Sequence, residues 1–415
     1  MNRIIALAAA TITTIAASSQ TYLTIDTCRA MALEHNIAMR NADRDVLSAE
    51  QQKKEAFTSY FPTVSAAGMG AAMNNDLMED LDAATIAGIT AVQPVFAGGQ
   101  ILNSNKLAKK GLEAAQIQQE KQADEVALTA EKYFWNTVML EEKLKTLDRL
   151  NAMLEQLNKD VTVAVNAGVS MRNDLLQVQL EQNDVESSRI DVRNGIRVSK
   201  MVLAQYIGLD DTAFVTISGI NPDVLPDFPL NLKQDHEEAL LNTTQYRLLE
   251  KNVETSELQR KLEVGKRLPS VAVGAGYTYL NTMDIDSWTG MLFATVTVPI
   301  SDWWGGSHAI KRKKIAVETA REQLEDSSEQ LMIAMESDWN DVEDAYKRLV
   351  IAKKSIEQSE ENLRLNNDYY RAGTSQLSDL LDAQQYYQQA RDQYVEAYAE
   401  YSIMTTEYKI ATGLY

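Results

Sequence analysis

Met291-Leu292-Phe293-Ala294-Thr295-Val296-Thr297-Val298 puts Leu292, Ala294, Val296 and Val298 on alternate positions, with Thr295 and Thr297 between them. A period of two is that of a strand whose two faces meet different surroundings. Beyond Pro299 the pattern changes. From Ser307 to Tyr370 the chain has neither proline nor glycine, and Trp339, Val342, Tyr346, Leu349, Ile356, Leu363 and Tyr370 recur at threes, fours and sevens. That spacing is a coiled-coil seam. A helix this long cannot fold around a compact core and needs neighbours along its whole length.

Working upstream, Val271, Val273, Ala275, Tyr277 and Tyr279 alternate in the same way. Residues about 269–280 and 289–300 therefore read as two strands, with Asn281 to Ser287 as their polar link. The unit is written twice. Ala32-Leu33, Arg40, Val46, Pro62 and Gly98-Gly99 recur as Ala239-Leu240, Arg247, Val253, Pro269 and Gly305-Gly306 at an offset of 207. Pro94, Ala167-Gly168 and Asp174-Leu175-Leu176 recur as Pro299, Ala372-Gly373 and Asp379-Leu380-Leu381 at 205. Co-linear landmarks at a nearly constant offset mark internal duplication.

Each copy reads as helix, strand pair, very long helix, helix. The first helix spans about Ile25 to Phe57 and its counterpart about Gln234 to Lys266, with Pro62 and Pro269 terminating them. In the first copy the strands fall at about 62–73 and 85–96, with Asn74 to Asp82 as the link. The long helix runs from Gln100 to about Val165, interrupted by Gly111 alone. At 1.5 Å per residue, such a helix extends close to ~100 Å. Leu140, Leu144, Leu147, Leu154, Leu157 and Val161 form its seam. The expected organisation is a signal peptide at 1–18, a first repeat at 19–208, a linker at 209–232 containing Pro222, Pro226 and Pro229, and a second repeat at 233–415.

The signal peptide rests on a cationic start at Arg3, an apolar run from Ile4 to Ala17, and the small residues Ala16, Ala17, Ser18 and Ser19. The run is too short to span a bilayer as a helix, and no later segment carries 18 consecutive apolar residues. Cys28, the single cysteine, rules out an intrachain disulfide, and the residues before it argue against lipidation. The formal charge of −19 argues against nucleic acid, whose binding rests on Lys and Arg meeting phosphates.

An exported chain with four membrane-length strands and no apolar helix poses a closure problem. Strands in hydrocarbon must belong to a closed barrel, and the smallest such barrels have about eight strands. Closure therefore requires several copies of the chain, with the long helices continuing from the strands to line a tunnel. Phe57, Tyr60, Phe61, Phe96, Trp303 and Trp304 cluster where the hairpins meet their helices. Such rings suit a membrane boundary and equally suit a junction core between strands and helices.

The ordered set of motifs is specific: Gln93-Pro94-Val95-Phe96-Ala97-Gly98-Gly99 at a strand end, Ala167-Gly168 before Asp174-Leu175-Leu176, and Tyr370-Arg371-Ala372-Gly373 before Asp379-Leu380-Leu381-Asp382-Ala383. On these residues the chain resembles the TolC-like outer membrane factors, the outer membrane efflux protein family, over nearly all of its mature length. The resemblance implies a fold that is mainly α with a β-barrel portion. In it, four strands per chain contribute to a trimeric 12-stranded barrel, continued by a long α-helical periplasmic tunnel. It implies a homotrimer in the outer membrane of a Gram-negative bacterium, in contact with outer-membrane lipid. Its partners would be a periplasmic adaptor (membrane fusion) protein and an inner-membrane pump or ABC exporter. Drugs, small molecules or proteins would pass outward in tripartite efflux or type I secretion, without cofactor or catalysis.

The resemblance also implies a gate at the periplasmic tip, where Gly168 and Gly373 turn the two helical hairpins. Asp379 and Asp382 match acidic positions that ring the entrance in the family, Asp174 matches an acidic gate position, and Tyr370 matches a tyrosine that helps keep the entrance shut. Ser375 stands where some members have an arginine, which puts a closed state held by the same links in question. The residues themselves allow a plainer reading, because aspartates in a first helical turn complement the exposed amides there.

Two rival classes follow from the same sequence. For an enzyme, His35, His236 and His308 are isolated, without metal-ligand spacing. Gly274-Ala275-Gly276 is only a fragment of a nucleotide loop, set in a strand pattern. A soluble periplasmic coiled-coil adaptor or structural protein would explain the export signal and the seams, but not the strand pairs repeated in both copies.

Overall fold

Pro62 and Pro269 each stand between a helix and a strand in the computed structural model, which describes residues 21–73, 82–209, 215–217, 224–282, 285–300 and 302–415. The expected signal peptide at 1–18, the hairpin link at 74–81 and parts of the linker, Pro222 among them, lie outside the described residues. In chain order the elements are β1 (Thr21–Leu23), α1 (Ile25–His35), α2 (Ile37–Thr58), β2 (Thr63–Met73), β3 (Asp82–Ala97), α3 (Gln100–Asn166) and α4 (Arg172–Ile207). There follow β4 (Val215–Ile217), α5 (His236–Leu240), α6 (Thr244–Gly265), β5 (Ser270–Thr282), β6 (Ile285–Thr297), α7 (Asp302–Arg371) and α8 (Leu377–Ala411). The two long helices have 67 and 70 residues.

Asn281, Thr282 and Ile285 to Ser287, expected in a polar link, are paired strand residues, and β6 ends at Thr297 and not near 300. Two further expectations need correction. The single first helix of each copy is two helices, broken at Asn36 in the first and between Leu240 and Thr244 in the second. Asn36 and Thr243 adopt extended backbone, at ψ 140° and 141°. Asn36 Nδ2 donates to the Tyr206 carbonyl at 3.2 Å, and Thr243 Oγ1 accepts from Tyr246 N–H at 3.2 Å. Short polar side chains thus give the backbone an alternative to continuous helix. The second correction concerns the glycine pairs. Gly98 and Gly99 turn with φ of +59° and +76° before α3, whereas Gly305 and Gly306 lie inside α7, as do Trp303 and Trp304. Only two residues join β3 to α3, so a left-handed turn is needed there. The longer β6–α7 connection, with Pro299, has none among its described residues.

The chain divides into two compact units. The first comprises the described parts of Met1–Asn36, Val126–Phe228 and Asp344–Ile403. Its core contains the buried seam residues Leu147, Leu154, Leu157 and Val161 of α3, together with Val178 and Val185 of α4 and Leu363, Leu377 and Leu380 from the second copy. Here β1 pairs in parallel with β4, Thr21 opposite Val215 and Leu23 opposite Ile217. Glu131, 1% exposed, receives Arg29 Nη2 at 2.5 Å and Trp135 Nε1 at 3.3 Å.

Cys28 is fully buried in α1, and burial pushes its thiol up to about 12. At pH 8 the thiolate fraction is then on the order of one in ten thousand. Maleimide is expected to leave Cys28 unmodified in the folded protein and to label it after denaturation. Rapid labelling of the folded chain would contradict this packing.

The second unit comprises Ile37–Glu125, Pro229–Glu343 and Met404–Tyr415. It holds an antiparallel sheet of order β2-β3-β5-β6, so β3 of the first copy pairs with β5 of the second. The register sorts the side chains into two faces. Val64, Ala66, Ala87, Ile89, Ala91, Val273, Ala275, Tyr277, Tyr279, Trp288, Leu292, Ala294 and Val296 share one face, which is apolar between a polar row at one end, Thr85, Asn281 and Asp286, and Gln93 near the other. Ser65, Thr90, Thr278, Thr289, Thr295 and Thr297 lie on the other, with Gly88, Gly274, Gly276 and the apolar Met69, Ile86, Val92, Leu280, Met291 and Phe293. A bulge between Pro94 and Phe96 accommodates proline in a central strand.

Candidate functional site

The turns that end α3 and α7 are built alike. Gly168 and Gly373 adopt φ of +74° and +72°. In the first, Val169 N–H donates to Ala164 O at 2.9 Å and Gly168 N–H to Val165 O at 3.0 Å. In the second, Thr374 N–H reaches Tyr369 O and Gly373 N–H reaches Tyr370 O, both at 3.0 Å. This paired pattern needs a left-handed residue, which glycine supplies without strain.

Each following helix opens on its aspartate. Asp174 Oδ2 accepts from Ser170 Oγ at 2.6 Å and Met171 N–H at 3.1 Å, and Asp379 Oδ2 accepts from Gln376 N–H at 3.1 Å. Capping therefore accounts for both positions as they stand. It does not account for Asp382, which is exposed and makes no hydrogen bond or ion pair among the described residues. Asp379 and Asp382, three apart, share an exposed face of α8, while Leu377, Leu380 and Ala383 are buried.

These turns border a cleft of about 1290 Å³. Asp160, Asp174, Tyr370, Arg371, Ser375 and Gln384 line it, so it brings Asp174 and Tyr370 together from separate hairpins; Asp379 and Asp382 are not part of it. Tyr370 packs against the apolar core. Its hydroxyl pKa is raised, first by desolvation and then by the Asp174 and Asp160 carboxylates. The phenol accordingly stays neutral at physiological pH and can act as a donor. Ser375 Oγ and Gln384 Oε1 are buried without a hydrogen-bond partner among the described residues.

Gln384 escaped the sequence reading. Its signal was a polar residue seven positions after Leu377, on the same buried stripe.

At the strand–helix junctions, Phe57, Phe61 and Phe96 are about half exposed and Trp304 is 84% exposed. The Phe57 ring meets Tyr60 at 5.5 Å and Phe61 edge-on at 5.6 Å. None of these four is buried in a junction core of the protomer, and the side chain of Trp303 lies outside the described residues. A further aromatic group had no separate signal in the alternation. On the apolar face Trp288 stacks on Tyr277 at 5.1 Å and touches Tyr279 at 5.1 Å. Eight residues separate Val271, the partner of Phe96, from Tyr279, the partner of Trp288. At about 3.3 Å per residue that is roughly 26 Å along the strand, close to the ~25 Å apolar band of outer-membrane barrels. Among the described residues no helix is long and apolar enough to cross a membrane.

The family model described as outer membrane efflux protein matches residues 28–209 and 236–410. No curated protein matches the chain. Among solved structures, the chain is similar to the outer membrane protein VceC of Vibrio cholerae, with a TM-score of 0.78 and 13% identity over 94% of this chain and 96% of that one. The open-state MtrE outer membrane channel of Neisseria gonorrhoeae gives 0.81 and 17%, over 94% and 88%. The CmeC outer membrane channel of Campylobacter jejuni gives 0.81 and 13%, over 95% and 89%. At these identities the likeness is one of fold.

Proposed function

The chain belongs to the outer membrane efflux protein family, and on that premise we propose that it is the outer-membrane exit duct of a tripartite efflux or type I secretion assembly. The observation that carries this reading is the sheet: four strands, one face apolar between its ends, and two outer strands, β2 and β6, unpaired on their far sides among the described residues. Unpaired edges in hydrocarbon cost several kcal/mol for each group left unsatisfied. Other copies of the chain satisfy them, and three copies of four strands make twelve. The apolar face then meets lipid, with the Phe57–Phe61–Phe96–Trp303–Trp304 group and the Trp288 group at its two boundaries. The threonine-bearing face lines the bore. A soluble periplasmic adaptor would leave so apolar a face in water.

The remaining assignments rest on this reading. Residues 1–18 direct export, the repeats at 19–208 and 233–415 each supply a hairpin and a helical pair, and 209–232 connects them. The protein sits in the outer membrane of a Gram-negative bacterium with a large periplasmic part. It receives cargo through an adaptor and an inner-membrane pump or ABC exporter, and performs no chemistry on it. Gly168 and Gly373 shape the entrance. Asp174 and Tyr370 hold neighbouring hairpins together, and Ser375 leaves them without an arginine tie. Asp379 and Asp382, on their shared exposed face, form acidic rings by threefold repetition, and such rings favour cations.

Conductance of the detergent-purified oligomer in a planar lipid bilayer tests the duct. Discrete, cation-preferring channels are expected. Asp379→Asn with Asp382→Asn is expected to reduce the cation-over-anion permeability ratio several-fold while leaving the oligomer intact, since the amide oxygen at 379 can still accept from Gln376 N–H. An unchanged ratio would remove these two residues from the gate. A folded oligomer that never conducts, even with the tip opened by mutation, would remove the duct.

A further inference from the structure

The geometry points to Gly274 as the residue that keeps the bore of the barrel wide, by giving the Phe293 ring a place to lie flat on the wall. This rests on the duct reading, because it takes the threonine-bearing face of the sheet as the lumen. Gly274 and Phe293 are directly paired across β5 and β6 on that face. A Cβ built on Gly274 would overlap the Phe293 ring and also press on the Ala91 carbonyl oxygen at 2.9 Å. The ring therefore occupies the space an ordinary side chain would fill. Phe293 is correspondingly half-buried, while Leu292 beside it on the lipid face is 88% exposed. Such laying of an aromatic ring over a cross-strand glycine is a known device of sheets.

The next pair repeats the arrangement. Met291 is paired with Gly276, and a Cβ there would meet Met291 Cγ at 3.4 Å and Sδ at 3.9 Å. The two largest side chains of β6 on the lumen face are thus each laid on a glycine of β5. Met291, two residues along β6 on the same face, holds the next place on the wall. A side chain at position 274 therefore displaces the ring toward the bore, at the same level in every copy. At this level the lumen face carries Thr63, Val92, Gly274 and Phe293, and at the next Ser65, Thr90, Gly276 and Met291, none of them charged. At this level the duct discriminates by size and not by charge, and bulky cargo depends on the glycine.

The test compares wild type, Gly274→Ala, Phe293→Ala and the double variant as purified oligomers in planar bilayers. Polyethylene glycols of graded size are added on the barrel side, and the largest one that enters is read from the fall in conductance. Gly274→Ala is expected to lose access to polymers that wild type admits, and the double variant to regain it. Phe293→Ala alone is expected to keep the wild-type cut-off, because the ring does not project. A wild-type cut-off in Gly274→Ala, or a wider one in Phe293→Ala, overturns the inference while the duct stands. If Gly274→Ala does not assemble, Phe293→Ala decides alone by the same criterion. A wild type without conductance overturns the duct reading and this inference together.

Discussion

Alanine at Gly98 is expected to destabilise the assembled protein by roughly 4 kcal/mol or more, the range in which folding usually fails. Two effects combine. Gly98 is buried with φ +59°, where an L side chain costs about 1–2 kcal/mol. In addition, a Cβ there would overlap the Gly265 carbonyl, and a Cβ on Gly265 would overlap the Gly98 carbonyl. Backbone meets backbone, so no rotamer change relieves the clash. The contact holds the end of α6 against the turn between β3 and α3, where strand gives way to long helix. Gly99→Ala is the control: it shares a positive φ of +76°, but its Cβ would meet only Asn103 Nδ2 at 3.6 Å. It should cost about 1 kcal/mol, the conformational term alone. Resistance of the detergent-purified oligomer to heat and urea measures both. Equal losses would show that strain, and not the backbone crossing, makes Gly98 necessary.

That crossing illustrates what could and could not be read in advance. The strands and long helices were legible because their signals are local: a period of two around Leu292 to Val298, a seam through Leu147 to Val161, and two stretches of about 100 Å of helix without proline. Gly168 and Gly373 were legible as turns for the same reason. The breaks at Asn36 and Thr243 were not: Asn36 makes its break by a bond to the distant Tyr206 carbonyl, and Thr243, which caps the next helix through Tyr246 N–H, lies within a pattern that reads as continuous helix. The pairing of β1 with β4 joins segments far apart in the chain, and three residues carry too little pattern to announce it. Gly305-Gly306 copied Gly98-Gly99 in sequence but not in conformation, since only the two-residue β3–α3 connection needs a left-handed turn.

The candidate site was legible by position more than by role. Asp174 and Asp379 suited both a cap and a gate, and the hydrogen bonds to Met171 and Gln376 show that capping is in use without consuming the charge. Asp382 has no such duty. Gln384 was hidden because glutamine on a seam looks like an error in the pattern until the cleft beside it is seen.

Replacing Arg29 by methionine is expected to destabilise the first unit by about 3–5 kcal/mol, the usual cost of removing one partner of a buried ion pair. Glu131 is 1% exposed on α3, and Arg29 Nη2 meets it at 2.5 Å from α1. Without the guanidinium, the carboxylate keeps the Trp135 indole at 3.3 Å, one neutral donor for a charge with no access to water. Asp26 also touches Arg29, at 3.3 Å, but its side chain is 84% exposed, and such a contact contributes about 0–1 kcal/mol. Asp26→Asn should therefore change little. The informative variant is Arg29→Met with Glu131→Met. Once both charges are gone no desolvation penalty remains, and apolar side chains of similar length are often tolerated at such sites or even stabilise them. The double variant is thus expected to recover most of the loss, although Arg29→Met alone is the smaller change. Denaturation midpoints of the three variants decide the matter. If the double variant is as unstable as Arg29→Met, then it is the packing of the arginine stem and the indole contact, and not the buried charge, that ties α1 to α3.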